Sequence, residues 1–134
     1  MEIAEIKYTG DLRTESTHLK SGQRIITDAP LDNQGKGEAF SPTDLLSDAL
    51  ATCALTVMGI SARTHGIDMI GTSIKLSKIM LSEPRRVGKI ILNFEMPKNN
   101  YSSKEKAILE NAAKTCPVAK SLNENLIQEF NFSY

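Results

Sequence analysis

Residues 41–60 read SPTDLLSDALATCALTVMGI, and the reading of this stretch decides the fold. Its start carries three helix signals. Ser41 is a good N-cap, Pro42 suits the first helical position, and Asp44 sits three residues after the cap. Its end is marked by Gly66, following Arg63 and His65. The spacing therefore predicts one helix of about 24 residues, about 36 Å long. Leu46, Leu50, Cys53, Val57 and Ile60 recur at steps of four and three and share a face, which Leu45, Ala49, Ala54 and Met58 widen. A helix this apolar is expected at the centre of the molecule, covered by sheet or by another subunit. It carries one cysteine near its middle.

Outward from this helix, the N-terminal side reads as strands. Met1 to Leu19 predicts two strands about a turn at Thr9-Gly10, and Arg24 to Thr27 a short third one. Residues 28–40, DAPLDNQGKGEAF, are rich in Asp, Asn, Gly and Pro and predict a loop. On the C-terminal side two strands are expected over Ser73–Leu81 and Val87–Met96, joined through SEPRR. A second helix over Ser103–Lys114 opens on a capping box of Ser102 and Glu105. Cys116-Pro117 breaks it, and Pro117 opens a short third helix through Leu122. The tail EFNFSY alternates as a last strand. The order βββ-α-ββ-αα-β clusters its strands rather than alternating them with helices, so the class is α+β.

A chain of 134 residues supports a single domain, 1–134, with one core. Lys plus Arg and Asp plus Glu are 16 each, and this balance argues against a nucleic-acid or anionic-membrane partner, since both need a basic excess. The opening MEIAEIKYTG alternates and carries charge from its second residue, so no signal segment is expected there. The apolar run Ala49–Ala62 is shorter than the about 20 residues a bilayer requires. The expected location is the cytoplasm.

Cys53 and Cys116 are the two cysteines. In a reducing compartment such a pair is buried filler, a metal pair or a redox pair. Taken alone, Cys53 reads as a small hydrophobe on an apolar helix. Cys116 precedes a helix-opening proline, so its sulfur lies near unpaired N–H groups; this, with Lys114 and Lys120 nearby in sequence, predicts a lowered thiol pKa. Neither CxxC nor HxxxH spacing occurs with His18 or His65, so no metal is expected, and no other cofactor. The glycines of GKGEAFSPT lack the phosphate-loop pattern, and no GxSxG accompanies the histidines.

SPTDLL opening a long helix, a cysteine ten residues beyond Thr43, and a second in TCPVAKSL about 60 residues later together resemble the OsmC/Ohr family. The likeness runs over nearly the whole chain, and TDAPLDNQGKGEAFSPTDLL looks like the small OsmC-like members. The resemblance implies an intertwined homodimer whose long central helices are wrapped by antiparallel sheets. It also implies a cysteine-based peroxidase acting on organic hydroperoxides or hydrogen peroxide. Cys53 would be the peroxidatic thiol, Cys116 the resolving thiol, and an external dithiol the reductant. The family's activating arginine falls on Arg13, with Arg24 as the alternative, and Lys36 is a further cation. The glutamate that holds this arginine is replaced by Thr43, with Asp44 next to it. Thr43, Asp44, Leu50 and Val57 are the implied substrate-binding residues. The Thr43 replacement favours an alternative of another class, a non-catalytic dimer binding a small apolar ligand.

Overall fold

A computed structural model describes residues 1–134. Six strands and three helices follow in the order β1 (Ala4–Gly10), β2 (Arg13–His18), β3 (Arg24–Asp28), α1 (Pro42–His65), β4 (Ser73–Leu81), β5 (Arg86–Glu95), α2 (Ser103–Lys114), α3 (Pro117–Ser121) and β6 (Ile127–Ser133). The class is α+β, as the clustering of strand signals predicts. The chain forms two compact units, Met1–Leu46 and Ser47–Tyr134.

The first unit is an antiparallel sheet in the order β1-β2-β3. Its hairpin turns at Asp11 and Leu12, both at positive φ. The register sets Tyr8 opposite Thr14, Ser16 opposite Ile25 and Arg13 opposite Asp28. One face carries Ile6, Tyr8 and Ile25, all exposed. The loop after β3 contains a 3₁₀ turn at Leu31–Asn33 and folds back on itself, with Gly35 N–H donating to the Pro30 carbonyl and Gly37 N–H to that of Ala29. Gly35 is required there, because a Cβ would fall 1.7 Å from the Ala29 carbonyl oxygen.

The second unit is built around β5, the middle strand of β4-β5-β6. Ile90, Leu92 and Phe94 alternate inward and are fully or almost fully buried, as period-2 patterning demands. They pack with Leu50, Ala54 and Met58 of α1 and with Leu109 and Ala113 of α2. Phe94 stacks on Phe132 with ring centroids 4.3 Å apart. The α2 capping box forms as its sequence predicts.

Two expectations need correction. The second sheet is mixed: β5 pairs antiparallel with β4 but parallel with β6. The connection from β5 to β6 contains α2 and α3, the long crossover that parallel neighbours require. The inward stripe of α1 is Ser47, Leu50, Ala51, Ala54, Met58 and Ala62, which leaves Leu46 and Ile60 exposed, while Cys53 and Val57 are half-buried at its edge. By length and composition alone the whole of α1 could cross a membrane, while the apolar run Ala49–Ala62 is too short to do so, as the sequence reading has it. In this fold a third of that stretch is buried within the protein.

Candidate functional site: two thiols and a clamped arginine

The two cysteines come from different elements of the second unit. Cys53 lies in the middle of α1 and is half-buried. Cys116 is the N-cap of α3, extended at φ −66° and ψ 153°, and is fully buried. Pro117 at the first helical position fixes this break, as the sequence predicts. The Cys116 Sγ accepts a hydrogen bond from the Ala119 N–H at 3.4 Å. The Cys53 and Cys116 side chains are close enough to influence one another, so the fold brings together thiols about 60 residues apart in sequence.

The titration of Cys116 runs opposite to the sequence expectation. Burial is the largest effect and pushes the thiol up; the Ala119 N–H opposes it, and the neighbouring Cys53 side chain raises it further. A helix start stabilises a thiolate, but removing the sulfur from water costs more here. Lys114 and Lys120 are exposed and do not offset that cost. Cys116 is therefore a protonated thiol at neutral pH, able to donate its S–H to the adjacent sulfur.

In the first unit, Arg13 opens β2 and Asp28 closes β3 directly across the ladder. Arg13 Nε reaches Asp28 Oδ1 at 2.7 Å and Nη2 reaches Oδ2 at 2.8 Å, a side-on bidentate pair. Asp28 is fully buried, and its Oδ2 also accepts the Glu38 N–H at 3.1 Å. The Glu38 carboxylate lies 3.6 Å from Arg13 Nη2. Through these donors, the hydrogen bond from Arg13 foremost, the Asp28 carboxyl is held below its ordinary range. Arg24, by contrast, is an exposed surface arginine 3.9 Å from Glu15. Lys36 pairs with Asp11 at 3.7 Å. Of the three cations named from sequence, Arg13 alone is fixed by a buried partner.

Thr43 and Asp44 serve the start of α1. Asp44 Oδ2 accepts the Ser41 N–H at 3.0 Å, and Ser41 Oγ accepts the Asp44 N–H at 3.1 Å. The Thr43 hydroxyl lies 3.2 Å from that of Ser41. Leu50 is in the core with no exposed surface. Sequence reasoning missed Asp28, because DAP at the head of a polar loop reads as a turn. The signal that finds it is the β2–β3 register set by the LKSGQ connection, which puts Arg13 opposite residue 28.

The family model described as OsmC-like protein matches residues 35–129. A structure from Psychrobacter arcticus 273-4, named for osmotic stress induction and a detoxification response, is 47% identical over 99% of this chain and 96% of that one, with a TM-score of 0.95. An organic hydroperoxide resistance protein OsmC from Legionella pneumophila shares the fold at 15% identity and TM-score 0.78, covering 100% of this chain and 98% of its own. An organic hydroperoxide resistance protein from Elizabethkingia anophelis does so at 14% identity and TM-score 0.70, covering 99% and 96%. No curated protein matches the chain.

Proposed function

The chain belongs to the OsmC-like protein family, and on that premise we propose that it is a cysteine-dependent peroxidase for organic hydroperoxides or hydrogen peroxide. The observation that carries this reading is that Cys53 and Cys116, from α1 and the start of α3, are close enough for their side chains to interact. A second thiol near the first favours completing a disulfide between them. The hydroperoxide-resistance names of the Legionella and Elizabethkingia proteins, which share the fold, agree with this substrate class.

The roles follow from environment. Cys116, held protonated by burial, suits the resolving thiol and the S–H donor, and leaves Cys53 on the rigid helix as the nucleophile. The Cys53 thiolate attacks the terminal peroxide oxygen of ROOH. The O–O bond breaks, the sulfur becomes a sulfenic acid, and the alkoxide leaves as ROH after taking a proton. Cys116 then condenses with the sulfenic acid, releasing water and forming the Cys53–Cys116 disulfide. An external dithiol returns both sulfurs to thiols by exchange and is itself oxidised to a disulfide. Arg13 is the cation proposed to favour the thiolate and to bind the peroxide oxygens. The working form is proposed to be a cytoplasmic homodimer that covers the exposed apolar groups of α1 and of the first sheet.

The test is a count of free thiols before and after one equivalent of cumene hydroperoxide. Loss of two thiols per chain in the wild type, and of none in Cys53→Ser, is the expected result. Unchanged thiols in the wild type would replace the peroxidase with a non-catalytic ligand-binding reading.

A further inference from the structure

We propose, resting on the peroxidase reading, that Gln128 is a positioning residue for the resolving thiol: it ties the short helix that Cys116 opens to β6 and so keeps that sulfur beside Cys53. Gln128 stands where strand alternation calls for an apolar side chain. It shares the inward face of β6 with Phe130 and Phe132, and its ladder partner on β5 is Ile90, which has no exposed surface. A half-buried amide in that position is costly unless it is hydrogen-bonded. Its Nε2 donates to the Ala119 carbonyl at 2.9 Å. Ala119 is also the residue whose N–H donates to Cys116 Sγ at 3.4 Å. One residue of α3 is thus held at its carbonyl by β6 and holds the sulfur through its N–H.

α3 needs such a tether. It has five residues, Pro117–Ser121, and a helix that short does not hold its shape alone. Its neighbouring carbonyl bonds close on the segment itself: the Lys120 N–H donates to Cys116, the Ser121 hydroxyl to Pro117 and the Leu122 N–H to Val118. The bond from Gln128 reaches it from a strand. Resolution is the step that depends on this placement. The Cys116 S–H must meet the Cys53 S–OH, so that the S–S bond forms as water leaves. Attack of Cys53 on the peroxide, from the long α1, does not use α3. The tether therefore acts on the second step and leaves the first alone. A glutamine that only satisfied its own amide would matter to neither step. One that restrained a movement needed for closure would, when removed, speed it.

The experiment measures two rates in the wild type, Gln128→Met and Gln128→Glu, at a temperature where circular dichroism shows the proteins folded. One is the second-order oxidation of Cys53 by cumene hydroperoxide. The other is the peroxide-independent closing of the Cys53–Cys116 disulfide, followed by acid quench and non-reducing mass mapping. Methionine keeps the length of the side chain and removes the donor; ionised glutamate keeps the shape and offers the carbonyl only acceptors. Closing is expected to slow about 10-fold in each variant, between the worth of one hydrogen bond and the cost of a displacement of about 1 Å. Dimedone trapping of the sulfenic acid should rise accordingly, and the first rate should equal that of the wild type. Both steps slowed together would mark a merely structural role and overturn the proposal. So would closing as fast as in the wild type, or faster. Should one variant fail to fold, the other carries the comparison; if neither folds, Gln128 is structural and the proposal falls. A wild type that does not react at Cys53, or reacts and forms no Cys53–Cys116 disulfide, sinks the peroxidase reading and this role with it. A wild type that closes its disulfide, with variants that close it equally fast, sinks this role alone.

Discussion

Cys116 lies beside the Cys53 side chain, close enough for each thiol to influence the other, while its sulfur accepts the Ala119 N–H at 3.4 Å. One sulfur sits within a long helix and the other at the start of a short one. Peroxide treatment is expected to give an intrachain Cys53–Cys116 disulfide, read by non-reducing peptide mapping. A product joined only between chains, or no disulfide at all, would refute the pairing.

The division of labour between the thiols has its own signature. Cys116→Ser should consume one peroxide and stop at a sulfenic acid on residue 53, trapped by dimedone and seen by mass spectrometry. Cys53→Ser should consume none, because Cys116 is fully buried and its pKa is raised by that burial. Rapid oxidation of the Cys53→Ser protein at Cys116 would reverse the two roles.

Much of this was legible in the sequence, and the boundary is physical. Helix starts are local events. Ser41 with Pro42 and Asp44, Ser102 with Glu105, and Cys116 with Pro117 each announce an element within four residues, and all three helices begin there. Facts about pairing are not local. The partner of Arg13 depends on the β2–β3 register, and the parallel docking of β6 on β5 depends on how two helices cross over. The inward stripe of α1 was also ambiguous. With Leu46, Leu50, Val57, Met58 and Ile60 all apolar, periodicity admits more than one face, and packing selects Leu50, Ala54 and Met58. The direction of the Cys116 shift required knowing that the sulfur is fully buried.

Acid stability follows from Asp28. Its folded pKa lies below the unfolded value of 3.8, mainly through the Arg13 hydrogen bond. The unfolded chain therefore binds the proton first as pH falls. The Asp28 contribution is complete above about pH 4 and is lost as pH drops through the folded pKa. In Asp28→Asn the melting temperature should be lower at neutral pH and should fall less steeply below pH 4, measured by circular dichroism against the wild type. Parallel curves for the two proteins would show that Asp28 is not linked to this transition.

Leu50 separates packing from substrate contact. It has no exposed surface and lies in the core beside Ala54 and Met58. Leu50→Ala should cost about 2–5 kcal/mol of unfolding free energy in urea denaturation. A loss below about 1 kcal/mol with a changed preference between bulky and small hydroperoxides would instead mark it as lining a substrate pocket.

The dimer prediction rests on apolar surface that a single chain leaves bare. On α1, Ile60 is 61% exposed and Leu46 38%. On one face of the first sheet, Ile6 is 62% and Tyr8 67% exposed, with Ile25 at 46%. In the sheet this arises because the β1–β2–β3 register aligns Ile6, Ser16 and Ile25 in one row, and nothing within the first unit covers that row. Isolated exposed apolar residues are ordinary, but aligned ones at the centre of a small sheet mark an interface. A second copy of the chain satisfies both surfaces by symmetry. Sedimentation equilibrium at micromolar concentration should therefore give twice the chain mass of 14.7 kDa. Ile6→Glu and Ile60→Glu should each shift the protein toward monomer, because a carboxylate placed in a closed apolar contact must be desolvated. A wild-type protein that sediments as a stable folded monomer, or a double variant that remains fully dimeric, would show that these surfaces are not where two chains meet.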